Sequence, residues 1–245
     1  GEWESRSIWN EEESIRVLNV YPLQPYLETW MTTTISDTEL PAGKGIFDID
    51  SVYLPTFNQD PRSYLCDETG AWKYDVLFFG SSDCNSNIDL SSASADAVHE
   101  FVDDGRGVLF GHDTICVNFG HTNFCTFADE LGILVKYDTT VIPTTSVSVT
   151  KIGTMTNFPW QIRGTLEVPA CHSYGQYVGG TLTGTEWMTL NTTQRIDEAT
   201  GSHSNFYLVT NKNLGMIQTG HSNGNALTVC RNDVENILNV IAANS

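Results

Sequence analysis

Hydrophobic residues along this chain fall in short runs separated by Gly, Pro, Asn and Ser, and the period of those runs changes from two to about 3.6 and back. Ile15-Arg16-Val17-Leu18-Asn19-Val20-Tyr21, closed by Pro22, predicts a first strand. Leu23, Leu27, Trp30 and Met31 recur at helical spacing, with Pro25 early, where its missing N–H costs little. Gly45 to Tyr53 predicts a second strand. Tyr74-Asp75-Val76-Leu77-Phe78-Phe79-Gly80 is a continuous apolar run, the pattern of a strand covered on both faces, and it stops at Gly80-Ser81-Ser82-Asp83. Asp89-Leu90-Ser91-Ser92 offers capping side chains, and Leu90, Ala93, Ala97, Val98, Phe101 and Val102 trace one helical face. Gly105 and Gly107 end that helix, and Gly107-Val108-Leu109-Phe110 is a short buried strand running into Gly111-His112-Asp113-Thr114.

Strand, helix, strand over 74–114, with the strand at 15–21, is the alternation of a parallel sheet covered by helices. A short helix is expected at Thr126 to Gly132. Residues 133–190 turn Thr-rich and β-like, at Val141-Ile142, Val147-Ser148-Val149 and Thr165-Leu166-Glu167-Val168. Phe206–Val209 and Leu214–Gln218 predict two strands around a turn at Asn211-Lys212-Asn213. Val234, Ile237, Leu238 and Ile241 then make a last helix, with Asp233 and Glu235 near its positive end. The expected architecture is α/β: a mostly parallel sheet covered by helices, with β-rich insertions in the second half. Residues 1–13 are polar and acidic and read as an N-terminal arm, with one domain over 14–245.

The 245 residues carry 12 Lys and Arg against 30 Asp and Glu, a net charge of −18. Phosphate backbones and anionic lipid surfaces need a basic stripe, so nucleic acid and membrane-surface partners are excluded. No apolar run reaches the length of a membrane span. The chain begins Gly1-Glu2-Trp3, as expected of a mature or excised chain. Cys66, Cys84, Cys116, Cys125, Cys171 and Cys230 form no C-x-x-C pair. Their even number and long spacings suit disulfides of an oxidising compartment, paired as Cys116–Cys125, Cys66–Cys84 and Cys171–Cys230; six reduced thiols are the alternative. Asn191-Thr192-Thr193 is a glycosylation sequon. Together with the acidic, Thr- and Ser-rich composition, these features point to a secreted glycoprotein at the cell surface.

Candidate chemistry gathers where predicted strands end. His112, His172 and His221 each follow a strand in a small, polar context, and Asp83 follows the strand at 74–80. Ligands of open α/β sheets bind outside the carboxyl ends of the strands, so these histidines with Asp113 or Asp83 are candidate ligand-binding residues. Three imidazoles also make a zinc-type set, so a divalent metal at His112, His172 and His221 is an alternative to no cofactor. A third reading has each histidine tie down its own loop. Trp160, Tyr174, Tyr177 and Trp187 belong to the core or stack on a sugar ring. A nucleophile would stand on the turn at 110–114, which holds His112 and Asp113; Cys116 comes too late, and no G-x-S-x-G occurs.

The stretch Asp75 to Thr114, Phe158-Pro159, Cys171-His172-Ser173 and Gly215 to Asn239, with the motifs GVLFGHDT and GMIQTGHSNG, resembles the class I glutamine amidotransferase-like superfamily. Within it the pattern is similar to the trehalose-utilisation-type branch and to uncharacterised domains of microbial surface proteins. The resemblance spans about 14–244 and implies a flavodoxin-like, mostly parallel sheet with helices on both faces. Amidotransferases place Cys at the turn after the strand matching 107–110, where this chain has Gly111-His112-Asp113. The expected function is therefore a non-catalytic extracellular module, an adhesion or filament-forming subunit whose partners are copies of itself, other surface proteins or glycans. The alternative is a secreted carbohydrate-active hydrolase or lyase that uses His112, Asp113, His172 and His221.

Overall fold

The computed structural model describes residues 14–22, 47–80, 88–111, 113–133, 135–138, 144–157, 161–171, 173–176, 183–192, 205–218, 241 and 245. Three strands in the first half repeat the predicted runs: β1 (Ile15–Tyr21), β2 (Phe47–Tyr53) and β3 (Val76–Phe79). Two short helices follow β2, α1 (Leu54–Phe57) and α2 (Pro61–Leu65), each admitted by a proline in its first turn. Helix α3 (Ser92–Asp103) leads into β4 (Gly107–Phe110). Its cap is Ser91, whose hydroxyl accepts the Ser94 N–H at 3.1 Å. Asp89, expected at the helix start, reaches away to a different loop.

Further along lie α4 (Ala128–Leu131), β5 (Val135–Asp138), β6 (Thr144–Val149), α5 (Thr154–Asn157), β7 (Thr165–Cys171), β8 (Ser173–Gln176), β9 (Thr185–Leu190), β10 (Phe206–Asn211) and β11 (Leu214–Ile217). Among the described residues nine strands join one sheet in the order β2-β1-β3-β4-β11-β10-β9-β6-β7. From β2 to β11 every pairing is parallel; from β11 to β7 every pairing is antiparallel. The β-rich second half is thus largely an extension of the main sheet, and only β5 and β8 pair apart from it. The cause is the predicted turn at Asn211-Lys212-Asn213: it folds β10 back on β11, while β11 runs parallel to β4. The antiparallel strands then add to that edge.

Both faces of the parallel half are buried, which is why its strands read as unbroken apolar runs. Leu18, Val20, Leu77, Phe79, Val108, Phe110 and Met216 face Ala97, Val98, Phe101 and Val102 of α3, with Phe124, Phe127 and Leu131 beside them. Each fully buried side chain of this size contributes about 1.5–3 kcal/mol. The opposite face carries Val17, Phe78, Leu109, Tyr207, Leu208 and Ile217. Ile241, the described residue of the predicted last helix, is helical and buried in that second cluster.

Polar groups pin the amino-terminal edge of the sheet. Asp75, just before β3, takes Arg16 at 3.1 Å and Arg106 at 3.3 Å. Burial pushes its carboxyl up, but the side-chain and backbone N–H groups of Arg16, with the charges of Arg16 and Arg106, outweigh this and hold it below the ordinary carboxylate range. No helix among the described residues is long and apolar enough to cross a membrane.

Candidate functional site

The carboxyl edge of the parallel strands is where loops, not salt links, carry the side chains. As β4 ends, the Gly111 N–H donates to Phe79 O at 2.7 Å. A Cβ on Gly111 would lie 1.9 Å from Gly80 O, so only glycine lets the ends of β3 and β4 approach this closely. The chain then turns sharply. Asp113 has φ +61°, a left-handed backbone that non-glycine residues adopt at a cost, and it is 3% exposed. Thr114 fixes the turn, donating its hydroxyl to Gly111 O at 2.8 Å. A buried strand running into a strained, inward residue is the layout of a nucleophile elbow. Here the strained position holds a carboxylate.

After the elbow, Ile115 and Cys116 are buried, and the chain passes through 3-10 turns at Val117–Phe119 and Phe124–Phe127. Asp89 holds this loop. Its carboxylate accepts the Asn123 N–H at 2.8 Å, the Phe124 N–H at 3.0 Å and its own neighbour's, Leu90, at 2.9 Å. His121 is thereby set against the elbow, with Nδ1 2.7 Å from Thr114 O. A carbonyl accepts only, so Nδ1 donates here, and Nε2 is the ring's other polar atom. That Nε2 is buried and has no partner, in a ring only 2% exposed.

On the neighbouring strand, Gln218 directly follows β11. Met216, two residues before it, pairs with Phe110 at the end of β4. Its amide donates to Phe206 O at 3.3 Å, and its Oε1 is buried without a partner. His121 Nε2 and Gln218 Oε1 are thus buried polar atoms without a hydrogen-bond partner, as are Asn19 Oδ1, Asn205 Oδ1 and the Tyr207 hydroxyl.

Cys116 and Cys125 meet as their spacing predicts: the Cys116 N–H donates to Cys125 Sγ. The expected bridge is not formed, and Cys66, Cys116, Cys125 and Cys171 are all thiols. Burial pushes the Cys125 thiol up to about 11, so it stays protonated and serves as a neutral acceptor. The partners expected for Cys66 and Cys171 were Cys84 and Cys230, which lie outside the described residues.

Asp83, His112, His172 and His221 also lie outside the described residues; of the predicted site only Asp113 is described. No group of three His, Cys, Asp or Glu among the described residues is arranged to hold a metal ion. Asn191 is exposed after β9, its amide donating to Ser146 Oγ at 2.8 Å and accepting from Ser148 Oγ at 2.9 Å. Trp187 is a core residue rather than a stacking platform, donating Nε1–H to Thr210 Oγ1 at 2.7 Å. His121 and Gln218 were missed in the sequence. A signal existed for His121, since Gly120-His121 repeats the Gly-His pairs at 111–112 and 220–221.

No family model and no curated protein matches this chain. Solved structures do. A ThuA-like protein from Bacteroides uniformis superposes with a TM-score of 0.57 at 16% identity, over 97% of this chain and 94% of that one. The glutaminase domain of Trypanosoma brucei CTPS, solved with bound acivicin, gives 0.51 at 8% identity, over 94% of each chain. Both have the class I glutamine amidotransferase-like fold, and the likeness is one of fold.

Proposed function

We propose that this chain is a non-catalytic module of the cell exterior, a surface or filament-forming subunit, built on an amidotransferase-like scaffold with helices on both sheet faces. One observation carries the reading. The strained elbow residue is Asp113, where acyl transfer needs a thiol or hydroxyl. The nearby thiols do not replace it: Cys116 is buried, and Cys125 stays protonated at neutral pH. The charge of −18 and the exposed Asn191 support an extracellular setting.

Acivicin, the ligand of the trypanosomal glutaminase domain, tests the elbow directly. Incubation with it leaves the intact mass unchanged, and incubation with glutamine releases no ammonia. A covalent adduct on Cys116 or Cys125, or glutamine turnover, defeats the proposal.

A carbohydrate-active hydrolase or lyase is the second reading, favoured by the survival of the strained, buried Asp113. Such a backbone costs about 1–3 kcal/mol, and strain of that kind clusters at working sites. Release of reducing ends from polysaccharide, abolished in Asp113→Asn, supports this reading over the first.

A further inference from the structure

One side chain of α3, His99, reaches the segment that follows the elbow. Its ring meets an oxygen at each nitrogen. Nδ1 lies 2.9 Å from a carboxylate oxygen of Glu130 in α4, and Nε2 lies 2.9 Å from Thr126 Oγ1. The Thr126 hydroxyl in turn donates to Asn123 O at 2.6 Å. The ring face stacks on the buried Phe127, with centroids 3.9 Å apart and planes 13° from parallel.

Counting hydrogens fixes what this cluster requires. The contacts to Glu130, to Thr126 and from Thr126 to Asn123 need a hydrogen each. A neutral imidazole brings one and the hydroxyl one, while the carboxylate and the carbonyl bring none. An imidazolium brings the second ring hydrogen, and all three contacts are then bonds. With a neutral ring one contact must fail. A bare nitrogen faces Glu130 or Thr126, or the hydroxyl turns to the ring and leaves two oxygens 2.6 Å apart with no hydrogen between them. The surroundings favour the cation. Asp129 adjoins Glu130 in α4, and Asp96 and Asp103 lie one turn to either side of His99 on the same face of α3. The cations of the adjoining segments are engaged elsewhere, Arg62 of α2 by Glu100 and Arg106 by Asp75. The Phe127 face adds a cation–π contact.

We propose that His99 is a proton-operated latch: as an imidazolium it holds residues 123–130 to α3, and loss of one ring proton as pH rises breaks one of its bonds and loosens that segment. Histidine changes charge between about pH 5 and about pH 8, so the latch works in a range that no carboxylate shares. Phe124 and Phe127 of the segment pack against Phe110, the last residue of β4, with ring centroids 6.2 and 5.0 Å apart. The proton state of a side chain 29% open to solvent is thereby coupled to the packing beneath the elbow. The inference goes beyond the surface-module reading and holds whether or not the module is catalytic.

The test uses the full chain, 15N-labelled, between about pH 5.5 and about pH 8.5. The ring nitrogens of His99 are followed by NMR, and the amides of 124–131 by hydrogen exchange, corrected for the intrinsic pH dependence of exchange. Protection of those amides is expected to fall by about 3-fold or more as pH rises, in step with the His99 ring and with no other histidine, the modest size reflecting a partly exposed pair. His99→Phe keeps an aromatic ring for Phe127 and carries no proton; its protection is expected to be lower at the acidic end and flat with pH. His121, in the same loop, is present in both chains, so the difference between them isolates His99. Glu130→Gln keeps an acceptor oxygen without the charge and is expected to shrink the change. Should His99→Phe fold poorly, coincidence of the two curves in the unaltered chain decides alone. Constant protection across the range, a change that follows another histidine, or the same change in His99→Phe overturns the proposal.

Discussion

Gly111→Ala is the sharpest perturbation of the edge that carries the elbow. The new Cβ falls 1.9 Å from Gly80 O, 2.7 Å from Gly80 C and 3.0 Å from Phe79 O, against ordinary contact that begins at 3.4 Å. Since 3.4 − 1.9 = 1.5, the ends of β3 and β4 must part by 1.5 Å. All three atoms are backbone, so no side chain can swing aside. The 2.7 Å bond from the Gly111 N–H to Phe79 O is then lost inside the protein. Overpacking costs about 1–3 kcal/mol, and stranding a buried N–H about 1–3 more. The less flexible unfolded chain returns about 0.4–1 kcal/mol. A net loss of about 3 kcal/mol is expected in urea denaturation followed by tryptophan fluorescence, with an unchanged slope. Gly107→Ala is the control on the same strand. There the nearest atom is the flexible Val76 Cγ2 at 3.4 Å, so a change within about 1 kcal/mol is expected. A Gly111→Ala loss no larger than that of Gly107→Ala would refute the claim that backbone contact at the strand ends positions the elbow.

Two further outcomes follow from named contacts. Asp89→Ala strips the acceptor from the Asn123 and Phe124 amides; a loss of about 2–4 kcal/mol is expected, with faster amide exchange across 121–127, and unchanged exchange there contradicts the role given to Asp89. Asp75 is held below its ordinary range, so its stabilisation is complete above the unfolded value of about 3.9 and is lost as pH falls through the lower folded value. Its side chain is 40% exposed and therefore screened. Asp75→Asn is accordingly expected to cost only about 0.5–1 kcal/mol at pH 7, with the difference from the parent shrinking as acid protonates the carboxyl in the folded state; a difference that stays constant as pH falls rejects the ion-pair account.

Local patterning alone determined much of this protein. The unbroken apolar run at 76–79 required a strand covered on both sides, and Val98, Phe101 and Val102 required a helix to cover it. The turn after β4 and its lack of a thiol or hydroxyl at the centre were legible too, because periodicity and side-chain identity are properties of neighbours along the chain. Tertiary structure decided the rest. That β10, β9, β6 and β7 extend the parallel sheet depends on which edge the β10–β11 hairpin finds, a choice made between residues far apart. The left-handed backbone of Asp113 and the close approach of Gly111 to Gly80 exist only in the folded chain. Gln218 carries no distinguishing local pattern, and His121 only the Gly-His pair it shares with 111–112 and 220–221. Their unpartnered atoms arise only once folding sets the Thr114 carbonyl against His121 Nδ1 and the Phe206 carbonyl against the Gln218 amide.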